Sequence, residues 1–198
     1  MTDDTGSEGP RPDTLTEAER AHVTQFLKRT RDDFLTAVEP LSPDQWAFQP
    51  GPDRWSIGLI AEHLGLVESR LFGQVERALR EPANPNWESA SGGKDALITT
   101  MLANRETPRA APEPVIPTGA VDRAAALGVF QERRAHTLAF AETTRESLKS
   151  HTVDHHRPAY GTLNAYQWLL YIPLHHQRHL DQIEEVKAAP GFPPVDVV

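Results

Sequence analysis

Apolar residues recur at three- and four-residue steps along four long stretches of the chain, and nowhere alternate with the period of two that marks a strand. The first stretch begins at Thr14, whose spacing to Glu17 suits a capping box, and runs to about Val38. Val23, Phe26, Leu27, Phe34, Leu35 and Val38 form its stripe. Ser56 is placed to cap a second helix over Ile57 to Arg80, striped by Ile60, Leu64, Val67, Leu71 and Val75. A third spans Asp122 to Ser150 and carries Leu127, Phe130, Leu138 and Leu148. "HTVDHHRPAYG" then interrupts, and Thr162 opens a fourth helix that reaches about Lys187.

The connections differ in kind. "EPLSPDQWAFQPGPDR" is rich in proline and glycine and carries an aromatic pair, Trp46 and Phe48, suited to packing. Glu81 to Ala120 is the loosest segment, with one short helix expected at Lys94 to Asn104; connections of this length usually serve a function or move. Four long amphipathic helices predict an all-α, four-helix bundle with a long central connection, over residues 14–188. Residues 1–13 read as a disordered tail. Residues 189–198 read as a second tail, because the prolines of "APGFPPVDVV" lack an N–H and fix φ.

Composition narrows the partners. A chain of 198 residues is large enough for one domain with a real core. The net charge of -8, without a basic run, argues against nucleic acid. No apolar stretch approaches the ~20 residues that cross a bilayer, and "MTDDTGSEGPRPD" lacks the apolar centre of a secretory signal. A cytoplasmic protein with no membrane partner is expected. The absence of cysteine removes disulfides, thiolate nucleophiles and cysteine-held zinc. Any metal must be held by histidine or carboxylate.

Histidine is where the chemistry concentrates. In "HHQRHLDQI", His175 and His179 stand four apart, on one face of a helix, within the stripe Trp168, Ile172, His175, His179, Ile183, Val186. Two imidazoles turned inward need partners, and a divalent cation would satisfy both; water or carboxylates at the bundle edge would also serve. His176 and His179, three apart, form a competing pair, and Pro173 blurs the geometry by deleting a backbone hydrogen bond. The 175/179 pair is preferred, although spacing alone does not settle it. His63, in "WSIGLIAEHLGLVESRL", is the leading third ligand. Three neutral imidazoles would leave an open coordination position, as catalytic metals do. His155 and His156 stand in a loop where they could line the mouth of a site, though loop histidines are more often solvated; His22, His136 and His151 carry no pairing signal, and Glu62 and Asp181 read as surface groups.

"DRWSIGLIAEHLGLVESRL" followed by "YGTLNAYQWLLYIPLHHQRHLDQI" resembles the DinB-like (DinB/YfiT) superfamily. The shared elements are Trp55-Ser56, His63-Leu64, Gly161-Thr162-Leu163, His175 to His179, and Gln182-Ile183, so the resemblance covers most of residues 15–187. It implies a four-helix bundle, often a homodimer, with a divalent metal (zinc, nickel or similar) on His63, His175 and His179, and it leaves His176 outside the motif. It also implies one of several activities on a small-molecule substrate. These are metal-dependent hydrolysis, or transfer or isomerisation with a low-molecular-weight thiol co-substrate, and some members serve as thiol-binding domains; the alternative reading of this chain is a non-catalytic metal- or ligand-binding stress-response protein.

Overall fold

The computed structural model describes residues 11–105 and 110–194. Four long helices carry the fold: α1 (Glu17–Val38), α3 (Ile57–Arg80), α6 (Arg123–Thr143) and α7 (Ala165–Lys187). Short helices α2 (Pro43–Ala47), α4 (Trp87–Ser91) and α5 (Lys94–Ala103) occupy the connections. α3 packs on α6 and α7, and α1 packs on the same two from the other side. Chain-adjacent α1 and α3 are therefore diagonal across the bundle, as are α6 and α7.

The stripes read from the sequence face the core. Val23, Leu27, Phe34 and Val38 of α1, and Ile60, Leu64, Val67, Leu71 and Val75 of α3, are all buried. Phe34 meets Phe130 of α6 edge to face, with centroids 4.7 Å apart. Each such side chain contributes roughly 1.5–3 kcal/mol by leaving water. Pro173 lies inside α7 without ending it.

The ends differ from expectation in ways that local hydrogen bonds explain. The capping box of α1 is Thr16 with Glu19, two residues later than the Thr14–Glu17 spacing suggests. Thr14 instead closes a turn, its N–H and hydroxyl both donating to the Arg11 carbonyl. Residues 1–10 of the expected tail lie outside the described residues, whereas the Asp13 carbonyl accepts from Lys149 N. α6 stops at Thr143, short of Ser150, because Arg20 of α1 caps it, donating to the carbonyls of Ala141 (2.7 Å) and Thr144 (2.8 Å). At the far end, residues 195–198 lie outside the described residues, while Phe192 packs on Phe48 and Gln45 donates to the Pro193 carbonyl.

Strands are the larger correction. β1 (Thr152–Asp154) and β2 (Thr162–Asn164) pair antiparallel, with Val153 opposite Leu163. Three residues are too few to display a period of two, so the pairing leaves no readable pattern. Thr162 consequently lies in a strand, and α7 begins after Asn164, whose side chain forms a capping box with Gln167. Gly161 makes the return possible at φ +62°, a region unfavourable to other residues. The hairpin fixes where α7 starts, and hence where its histidines stand.

Candidate metal centre

α3 and α7 lie against each other, and their inward faces bring His63, His175 and His179 together. Ring centroids are 4.6 Å apart for His175–His179, 4.8 Å for His63–His179 and 5.5 Å for His63–His175. One ligand-capable nitrogen from each ring lies within 4.8 Å of the others. Trp55, just before the α3 cap, covers them, 4.8 Å from the His63 ring and 6.3 Å from that of His179. The 175/179 pair thus joins His63, and His176 does not.

Two of the three rings have their outer nitrogen engaged. His63 Nδ1 lies 2.6 Å from the Val115 carbonyl oxygen, which can only accept, so Nδ1 carries the proton and Nε2 keeps its lone pair. His179 Nδ1 lies 2.8 Å from Gln182 Oε1 and is fixed in the same sense. His175 Nδ1 is buried with no partner among the described residues, a condition that costs roughly 1–3 kcal/mol. Burial holds the His63 pKa below the usual histidine value, against the opposing pull of Val115. Burial first, and the neighbouring imidazoles next, hold His175 and His179 well below it. All three are neutral donors at pH 7.

The donor set therefore fits a divalent cation. Around such an ion at the usual bond length of about 2.0–2.1 Å, imidazole nitrogens stand about 3.3 Å apart. The 4.8 Å limit is within reach of small side-chain adjustments. Two outer nitrogens already carry the hydrogen-bonded partners that orient metal-bound imidazoles.

Val115 belongs to the long central connection, and Glu62 holds that segment down. The Glu62 carboxylate accepts from Thr118 N, Thr118 Oγ1 and Gly119 N, each at 2.9 Å. Burial raises its pKa, but these hydrogen bonds outweigh that and leave it below the ordinary value. Glu62 is buried, not the surface group expected; Asp181 is exposed as expected and accepts from Gln177.

A second polar cluster lies beside the trio. His176 Nε2 stands 3.2 Å from Glu68 Oε2, and its ring stacks on Phe130. Arg134 of α6 meets the same carboxylate through Nε (2.8 and 3.1 Å) and Nη2 (3.0 Å). Its Nη1 donates to the Leu27 carbonyl and Thr30 Oγ1 of α1. Burial would raise the Glu68 pKa, but His176 and Arg134 bring it down to about 2. One ion pair thus ties all four long helices together.

His155 departs from its expected solvated role. It is buried, stacks on Trp168 at 4.9 Å, and its Nδ1 accepts from Arg157 N. His156 stays exposed. Burial first, then His156 and Arg157, lower the His155 pKa to about 4. As pH falls from about 6.5 toward 4, the unfolded chain takes up a proton that the fold refuses, so stability is lost over that window. His155→Phe is expected to reduce the drop in Tm between pH 7 and pH 5; an unchanged drop refutes this account.

A pocket of about 600 Å³ opens onto the trio. Its apolar wall is built by Val67, Leu71, Leu102 and Val115, and arginines line much of the remainder.

Comparison with known proteins agrees with the fold. The DinB superfamily is the family whose model matches, over residues 27–183. No curated protein matches the chain. Among solved structures, YfiT from Bacillus subtilis is similar, with a TM-score of 0.64 and 15% identity, covering 96% of this chain and 97% of that one. It is described as a probable metal-dependent hydrolase with an unusual four-helix bundle topology. At that identity the likeness shows the fold alone.

Proposed function

The chain belongs to the DinB superfamily, and on that premise we propose that it is a metal-dependent enzyme whose cation is held by His63, His175 and His179. The observation that carries the reading is the convergence of three neutral imidazoles, two with their tautomer set, at the wall of a substrate-sized pocket. A bound divalent cation, zinc or nickel, would supply an acidified water or small thiol, or a polarised carbonyl, at its open position. The description of YfiT favours hydrolysis; a small-thiol transferase would use the same ligands.

The protein's own groups set the conditions for that chemistry. Val115 and Gln182 hold His63 and His179 in the tautomer that presents Nε2. Trp55 and the wall of Val67, Leu71 and Leu102 limit water at the reacting end of the pocket. Glu62 keeps the Val115 segment in place.

The test is to purify the protein, measure bound metal, and assay esters and amides in one panel and small thiols with electrophiles in another. Stoichiometric metal with turnover in either panel supports the reading. Metal without turnover in both points instead to a non-catalytic metal- or ligand-binding protein. Gln182→Ala is expected to weaken metal affinity about 10–100-fold, because the His179 ring loses its orienting acceptor. A competition titration against a chelating dye reads this, and unchanged affinity removes Gln182 from the site.

A further inference from the structure

The pocket has a charge opposite to that of the chain. Arg54, Arg70, Arg105, Arg157 and Arg178 line it against two carboxylates, Asp53 and Glu185, on a protein of net charge -8. Three of these arginines are engaged. Arg105 grips Glu185 through Nε (3.0 Å) and Nη2 (2.6 Å), and Arg54 reaches the same carboxylate at 3.4 Å. Arg178 donates to the Leu102 carbonyl at the end of α5.

Arg70 and Arg157 differ. Neither guanidinium has a hydrogen bond or ion pair to any described residue, although both line the pocket. They reach it from separate elements, Arg70 from α3 and Arg157 from the loop between β1 and β2. His156 lines the pocket beside them, and after partial desolvation it is their charges that lower its pKa. Unpaired cations gathered on one concave, partly apolar surface attract and orient an anion. Guanidinium forks in particular match the two oxygens of a carboxylate or phosphate.

The position of Arg70 relative to the trio sets the shape of the ligand. His63, Val67 and Arg70 follow one another along one face of α3, so His63 and Arg70 are separated by about 10 Å of helix axis. Val67 lies within that interval, and Leu71, one residue past Arg70, continues the apolar wall. We propose that the pocket takes a small anionic substrate whose carboxylate or phosphate is held by Arg70 and Arg157, while its reacting group lies against His63, His175 and His179. A short apolar stretch joins the two ends. This assignment rests on the reading of the pocket as the substrate site of a metal-dependent enzyme, but the anion subsite is built from residues outside the trio.

Binding is measured by calorimetry on the full chain as purified, with its metal content recorded, and again after chelation. Succinate and inorganic phosphate are the probes, and neutral succinamide is the control. At low salt, at least one anion should bind and weaken as salt rises, while succinamide should not; which of the two binds identifies the group. Arg70→Gln and Arg157→Gln should each weaken binding about tenfold, and the double variant should abolish it. His175→Ala should retain anion binding after chelation. Absence of binding by both anions, or affinities that ignore both substitutions, overturns the proposal. Metal loading without anion binding removes only this inference, whereas anion binding to a chain that cannot load metal removes only the catalytic reading.

Discussion

Arg134→Ala is expected to lower folding stability by about 3–5 kcal/mol. Removing the guanidinium takes five hydrogen bonds from a wholly buried site. It leaves the Glu68 carboxylate charged in the core with only His176 beside it, and leaves the Leu27 carbonyl and Thr30 hydroxyl short of a donor. A stranded buried charge costs far more than the pair contributes, because the pair itself roughly offsets its desolvation. The double variant E68M/R134M, which removes both charges and restores volume, should therefore be less destabilised than Arg134→Ala alone. Chemical denaturation of the three proteins checks this. A single variant that loses less than about 1 kcal/mol, or a double variant worse than the single, would refute the account.

The same carboxylate predicts an acid limb. Its folded pKa of about 2 is below the ordinary 4.5, so it contributes stability above pH 4.5 that is lost as pH falls from 4.5 toward 2. Lysing the network with Arg134→Ala should shrink this limb, because an unpaired buried carboxylate titrates higher.

Much of the bundle could be read in the chain because apolar side chains at helical spacing must face a common core. The stripes of α1, α3 and α7 needed no tertiary information. Boundaries needed it. α6 ends where Arg20 of a distant helix satisfies its last carbonyls, and no local pattern near Thr143 announces that contact. The β1–β2 hairpin escaped because each strand spans three residues and pairs across a turn set by Gly161.

The candidate site divides along the same line. Helix spacing put His175 above His179, the place of His63 beside the core stripe made it the leading third ligand, and the family pattern matched all three and left His176 out. The groups that set their tautomers were harder to see. Gln182 lies one turn beyond His179 and was visible as part of the motif, though not as a hydrogen-bond acceptor. Val115 acts through its backbone carbonyl, which carries no residue signature at all. Glu68 and Arg134 did leave a signal, a charge inside each apolar stripe: Glu68 between Leu64 and Leu71, Arg134 between Phe130 and Leu138. Opposite charges at core positions of two helices are costly unless they meet.

His175→Ala should separate metal binding from folding more cleanly than any other change at the site. In the wild-type protein, a cation present at 1,000 times its Kd is expected to add about 4 kcal/mol of stability, and Tm should climb with added zinc or nickel. With two imidazoles left, the variant should lose stoichiometric metal and show no such climb. Its metal-free Tm should stay close to that of the metal-free parent, because the substitution removes a buried nitrogen that has no partner and opens onto an existing pocket rather than a closed cavity. His176→Ala is the contrasting case. It removes the partner of Glu68 and should lower the metal-free Tm while leaving metal uptake in place. Elemental analysis and melting curves with and without metal read both variants together. The reverse pattern, metal lost with His176 and kept without His175, would shift the ligand pair to 176/179 and end the assignment.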